Sequence, residues 1–471
     1  MAFLIGGANS AADTGFEVAN SCRFNSDAYL HKQLGTATNN KLCTVSLWVK
    51  PQVSDTRNTF ISGGINGDNY QKFRTANDSF SFYGNHSGSN NLHLEANRKL
   101  RDPSAFYHVV MAFDSTQASS SNRIKIYVNG VQETSMNNAT YPAEDAICYF
   151  NAASTSDIFV GAFGRQDDTI GEQGEGYFAE VCVIDGLALD PTSFGEYSET
   201  TPNLWIPKDV SGLTFGNNGF YLDFEASDNL GNDVNGGTDL TAVSLDATDQ
   251  ASDTPTNNFC TFNPLIGVHH TSTGVPDLSQ GNCHMAEVAS PTHGTTLGTM
   301  GSTKMKFYFE YKLHSAAADI FMGVMGQPFP QSTSNHAYND VGAYGYYGES
   351  SQSYKITAGV QATDSTFSGD GIYMFAIDPT NNKLWVGKDG TWDGDPAAGS
   401  GEIVTLGTHE YLPWAHCSGT SGDNSISANF GGCPAFTISS GNADAEGYGN
   451  FEYEVPSGFY SLCTKNLAEY G

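Results

Sequence analysis

The 471-residue chain is poor in charge and poorest in basic charge, with 21 Lys and Arg against 51 Asp and Glu and a formal net charge of −30. It has no Lys/Arg run, which argues against a phosphate-neutralising surface, so no nucleic-acid partner is expected. Apolar runs of the ~18 residues that a membrane helix needs are missing too, and no membrane insertion is expected. The opening, "MAFLIGGANSAADTGF", has one short apolar patch without a basic region before it, so a secretory signal is not expected either. The nine cysteines (22, 43, 148, 182, 260, 283, 417, 433 and 463) are odd in number and form no CxxC pair. Free thiols acting as small buried hydrophobes, in a chain made in a reducing cytoplasm, are the expectation. Helix formers are sparse, and few windows show an apolar repeat of 3.6 residues.

The signatures of common chemistries are missing as well. A retaining glycosidase needs two carboxylates about 5 Å apart, typically on one face of a strand, which would read Glu-x-Asp-x-Glu. No such triplet occurs. Glu180 with Asp185 has the wrong parity, and Glu452 with Glu454 lacks a third member. There is no Gly-x-Ser-x-Gly elbow and no phosphate loop. His269, His270, Cys283, His284 and His293 match no zinc module, and Asp167, Asp168 and Glu172 lack a calcium spacing. Neither a metal nor any other cofactor is expected, and the chain is expected not to be an enzyme.

What is present is β-texture: Gly, Asn, Ser and Thr are abundant, and aromatics make up 12% of the residues. Short alternating runs such as "LCTVSLWVK", "SFSFYG", "KFYFEYKL" and "IFMGVMG" are separated by Gly, Asn, Asp or Pro, the pattern of antiparallel sandwiches. One phrase occurs twice. "YHVVMAFDSTQASSSNRIKIYVNGV" and "GIYMFAIDPTNNKLWVGKDGTW" each hold two alternating runs and then Asn129–Gly130 or Asp389–Gly390, the dipeptides of tight hairpin turns. The expected organisation is an arm (1–20), a sandwich (21–200), a connector (201–294), a second sandwich (295–437) and a tail (438–471). Trp48, Val110, Phe113, Ile126 and Val128 are expected in the first core, and Phe309, Phe375, Ile377 and Trp385 in the second. Asp190 and Pro191 mark a helical turn.

"VSLWVKP", "YHVVMAFD…RIKIYVNGV" and "GYFAEVCVIDGLALDP" resemble, in their order, the laminin G-like branch of the concanavalin A-like jelly rolls. "KFYFEYKL", "DIFMGVMG", "IYMFAID…KLWVGKDGTW" and "ISANFGGCPAF" resemble a SPRY domain, another concanavalin A-like sandwich. The connector phrase "VIDGLALDPTSFGEYSETTPNLWIPKDVSG" and the closing "GFYSLCTKNL" resemble virion proteins of tailed phages, marine ones especially. The fold class implied is all-β, two concanavalin A-like antiparallel β-sandwiches joined by an irregular connector. The resemblance implies an adhesin on the virion exterior, a tail fibre binding a host-surface glycan or protein. The alternatives are a capsid-decorating or cement protein and, third, a glycan depolymerase. Other virion proteins are the implied partners, residues 1–20 the implied anchor, and a homotrimer the implied assembly. Aromatic rings among glycines, Tyr344, Tyr346 and Tyr347, and Trp392 on a turn, are the candidate ligand-binding residues.

Overall fold

The computed structural model describes residues 15–471, apart from 26, 53–56, 153–155, 168, 266–276, 287–292, 315–319, 328–338, 349–352 and 419–424. The expected arm lies mostly outside the described residues. The chain divides into two compact units, one of residues 13–256 and one built on residues 257–471. Both are almost entirely β-structure. Among the described residues the α-helix is Thr464–Tyr470, and the turn at Asp190 is a 3-10 helix, Pro191–Ser193.

In the first unit two eight-stranded antiparallel sheets face each other. One runs Val131–Gln132, Ile124–Val128, Tyr107–Asp114, Leu42–Pro51, Gly176–Asp185, Ser21–Phe24 and Gln250–Ala251, with Phe220–Leu222 also paired to Gly176–Asp185. The other runs Met136–Thr140, Ser89–Lys99, Ser79–His86, Asn69–Ala76, Asn58–Asn66, Asp157–Val160, Tyr29–Gln33 and Thr241–Val243. Alternate residues of the two sheets, among them Val45, Leu47, Phe73, Phe82, Val109 and Phe113, form the core between them. Of the expected connector, 201–294, residues 201–256 belong to this unit and supply strands to both sheets.

The second unit has a nine-stranded sheet centred on Phe307–Leu313, Gly371–Asp378 and Lys383–Lys388. Its six-stranded sheet runs His293–Leu297, Tyr411–Ser418, Ile320–Gly326, Ala343–Gly348, Ser353–Thr357 and Val360–Thr363. The tail adds Tyr460–Ser461 in parallel to Phe307–Leu313.

The repeated phrase forms the same hairpin in both units. Asn129–Gly130 joins Ile124–Val128 to Val131–Gln132, and Asp389–Gly390 joins Lys383–Lys388 to Thr391–Trp392. All four turn residues have positive φ, between 46° and 81°, as a tight hairpin turn of matching twist requires.

All the expected core residues are buried, but on two different faces. Phe113, Ile126, Val128, Phe309, Phe375 and Ile377 do sit between sheets. Val110, Trp48 and Trp385 are buried on the outer faces of their sheets instead. In the first unit residues 187–215 lie over that face, where Phe194, Val210 and Phe215 cluster with Val110. Trp205 donates through Nε1 to His108 Nδ1 at 2.9 Å, and the His108 ring stacks on Trp48. A tryptophan can only donate, so Nδ1 accepts and Nε2–H donates to Ser46 Oγ at 2.8 Å. Burial holds the His108 pKa down at about 3. In the second unit Phe451, Val455 and Phe459 of the tail cover Trp385, Tyr308 and Met374. The Glu310 carboxylate fixes that cover by accepting from Glu452 N (3.0 Å), Tyr453 N (2.8 Å), Tyr308 OH (2.8 Å) and Asn429 Nδ2 (3.0 Å).

Candidate functional site

Three of the four ligand-binding residues expected from sequence are buried. Tyr344, Tyr346 and Tyr347 lie within the Ala343–Gly348 strand, at 4%, 0% and 5% exposure, and not on a loop. Tyr344 and Tyr346 enter the core between the sheets, and Tyr346 OH donates to Phe367 O at 2.8 Å. Tyr347 points to the opposite face and stacks on Phe321 at 4.6 Å. The glycine between these tyrosines serves close strand pairing: a Cβ at Gly345 would collide with the backbone of Met322 on the neighbouring strand. Trp392 is half-buried against Tyr308. Packing within the sandwich therefore accounts for the three tyrosines.

The other flagged residues are also placed structurally. His269, His270 and Asp168 lie outside the described residues, as does the His293 side chain. Cys283 is buried in the second core, and all nine cysteines are free and buried. His284 and His314 both bond Ser427 Oγ, at 2.9 and 2.7 Å. Asp185 ties loops together, accepting from Thr38 N, Asn151 Nδ2 and Asn218 N. Glu180 takes a hydrogen bond from Tyr221 OH at 2.7 Å, and Glu452 accepts from Ser439 N. No group of three or more His, Cys, Asp or Glu side chains converges as metal ligands among the described residues.

The strongest concentration of ligand-type chemistry lies on the outer face of the first unit's second sheet. In "NYQKFRTA" the alternation sends Phe73 to the core and Tyr70, Lys72 and Arg74 outward. Register aligns Phe159, Ser62, Lys72, Tyr83 and His93 in one row across the strands. Thr59, Arg74, Ser81 and Glu95 form the next row. A short hairpin, Phe163–Gly164 with Ile170–Gly171, is held to this face by Ser62 Oγ, which donates to Ala162 O and accepts from Gly164 N, both at 2.8 Å.

That hairpin sets Phe163 beside Tyr70, with ring centroids 5.0 Å apart, and Tyr83 meets His93 at 5.4 Å. Lys72 Nζ lies 4.2 Å from the Phe163 centroid, and the Arg74 guanidinium 5.4 Å from Tyr83. Just beyond the hairpin, Glu172 has a left-handed φ of 43°. Its Oε2 accepts from Lys72 Nζ (2.7 Å) and Arg74 (2.6 Å), and its Oε1 from Arg57 (3.0 Å). Burial lowers the Lys72 pKa to about 8, against the opposing pull of Glu172. Burial pushes the Glu172 carboxyl up, but Lys72 and Arg74 more than offset it and leave it below the usual range. Arg74 Nε, Ser81 Oγ and Thr59 Oγ1, neighbours on one row, are buried and make no hydrogen bond to the described residues.

Residues 24–165 match the concanavalin A-like lectin/glucanases superfamily. The match spans most of the first sandwich and the strands that carry this face. No curated protein sequence matches the chain. Among solved structures, the chain is similar to a heptameric SAP-like pentraxin from Limulus polyphemus, with 18% identity over 37% of this chain and 80% of that one and a TM-score of 0.28. It is also similar to the SPRY domain of human HERC1 (12% identity, 37% of this chain and 99% of that one, TM-score 0.28). A third is the PSpry domain of TRIM65 (11% identity, 36% and 92%, TM-score 0.28). Among the described residues no helix is long and apolar enough to cross a membrane.

Lys72, Arg74 and Arg57 of this face are all paired to one carboxylate, Glu172. Half-buried rings beside fixed polar donors suit a polyhydroxylated ligand, whose C–H faces stack and whose hydroxyls bond. Sequence reasoning missed the site because its residues come from positions 57 to 172. The one signal was the Tyr-x-Lys-x-Arg alternation beside Phe73.

Proposed function

We propose that the chain is a glycan-binding adhesin without catalytic activity, and that the face bearing Tyr70, Tyr83, His93 and Phe163 is its sugar platform. The observation that carries this reading is the group of half-buried rings gathered around Lys72 and Arg74 on an outer sheet face. The superfamily match covers both lectins and glucanases. Binding is favoured over hydrolysis because Glu172 is held by three cations, so its proton is not available for acid catalysis. The connector and closing phrases, which resemble tailed-phage virion proteins, favour display on a particle exterior, as a fibre or receptor-binding component touching a host-surface glycan.

The test is calorimetric titration of the full chain with soluble glycans, alongside Tyr83→Ala. Binding that the variant weakens tenfold or more, with an unchanged circular dichroism spectrum, supports the platform. Unchanged binding by the variant refutes it. Release of reducing ends from a bound glycan would refute the non-catalytic part. Antibody labelling of particles separates sites: few copies on a tail fit the fibre, whereas many over a shell make the chain a capsid decorator.

A further inference from the structure

The cations of this face are distributed unevenly for a chain of net charge −30. Lys72 and Arg74 have side chains only 5% and 6% exposed, and both address one carboxylate oxygen, Glu172 Oε2. Arg57, 60% exposed, takes the other oxygen. Buried charges are ordinarily matched one for one, because each unmatched charge retains its desolvation cost. Here, among the described residues, two buried cations and the exposed Arg57 share one anion, and Arg165 at the same rings is matched separately by Asp167 at 3.2 Å. Arg74 keeps a further donor unused: its Nε is buried and has no partner among the described residues, as is the case for the neighbouring Ser81 Oγ. The group that occupies the cations is itself a carboxylate, so the socket's spacing is already shown to fit one.

From this socket we infer that the glycan bound by the face is acidic, a uronate-type sugar whose carboxylate takes the place of Glu172 between Lys72, Arg74 and Arg57. The inference rests on the glycan-binding reading above. Glu172 then acts as an internal competitor: its left-handed backbone holds it at the socket, and the ligand exchanges one carboxylate for another. The sugar ring lies along Tyr70 and Tyr83, the half-buried rings on which Lys72 Nζ already rests. A carboxylate between two guanidinium groups and an ammonium is a charge-assisted arrangement, stronger than the neutral hydrogen bonds an uncharged sugar would make there.

The experiment titrates the full chain with oligogalacturonate and oligomannuronate, and with the methyl ester of each, at low and moderate salt. The expected result is at least tenfold tighter binding of a free acid than of its ester, with the difference shrinking as salt rises. Glu172→Gln should tighten acid binding at least threefold, because it removes the competing charge and keeps an amide in place. Lys72→Met should abolish the preference for the acid, and Arg57→Gln, at an exposed position, should reduce it without risk to folding. Equal binding of acid and ester overturns the socket while leaving the sugar platform standing. Weaker acid binding by Glu172→Gln also overturns it, since Glu172 would then be part of the ligand contact. Binding of neither acids, esters nor neutral glycans sinks the platform itself.

Discussion

Substituting Glu180 by Gln should change how the first unit's stability depends on pH. Glu180 sits at a bulge in the Gly176–Asp185 strand with a φ of 51°, and only 6% of it is exposed. Burial raises its pKa from 4.5 to about 8; Tyr221 OH opposes the shift, and Asp223, Glu225 and Asp209 add to it. The folded chain therefore keeps this proton while the unfolded chain loses it above pH 4.5. Stability from this group is complete below that pH and declines as pH rises towards 8. One pKa unit is worth about 1.4 kcal/mol, so the decline reaches about 5 kcal/mol above pH 8 and about 3 kcal/mol at pH 7. Glu180→Gln keeps an acceptor for Tyr221 OH and removes the titration. The variant should therefore gain on the wild type by about 1.4 kcal/mol per pH unit between pH 5 and 8. Guanidinium melts of both proteins, followed by tryptophan fluorescence from pH 4 to 9, measure that difference, and other titrating groups cancel in it. A wild-type-minus-variant difference that stays flat across the window would refute the reasoning.

Other residues give independent checks. Phe451→Ala removes a fully buried ring from the cover over Trp385 and Tyr308 and should cost about 3–5 kcal/mol in denaturant melts. Gly130→Ala meets both a φ of 76° and a Trp205 ring 2.5 Å from the new Cβ, whereas Gly236→Ala, at φ 83°, meets nothing within 4 Å. The second should lose about 1 kcal/mol and the first clearly more, and equal losses would mean that Trp205 yields freely. The His108 imidazole should remain neutral from pH 8 down to about pH 4, with Nε2 protonated, in nitrogen-edited NMR spectra. Titration near pH 6.5 would contradict its burial beneath Trp205.

Local chemistry in the sequence was enough to establish the strands, the turns and the class of fold. Period-two alternation requires one face of "YHVVMAFD" and "GIYMFAID" to be apolar, and Asn129–Gly130 and Asp389–Gly390 require a tight turn wherever they fall. Scattered cysteines without a metal spacing pointed to buried free thiols, and all nine are buried and free. Alternation cannot say what lies over the second face of a sheet, because the covering residues come from elsewhere in the chain. Trp48, Val110 and Trp385 are thus outer-face residues hidden by residues 187–215 and by the tail. The same limit moved Tyr344, Tyr346 and Tyr347 from an expected loop into a buried strand, since glycines between rings read alike in loops and in closely paired strands. Above all, the sequence contains no cluster of basic residues. Arg57, Lys72, Arg74 and Glu172 meet only because three antiparallel strands and a short hairpin bring positions about a hundred residues apart within hydrogen-bonding distance.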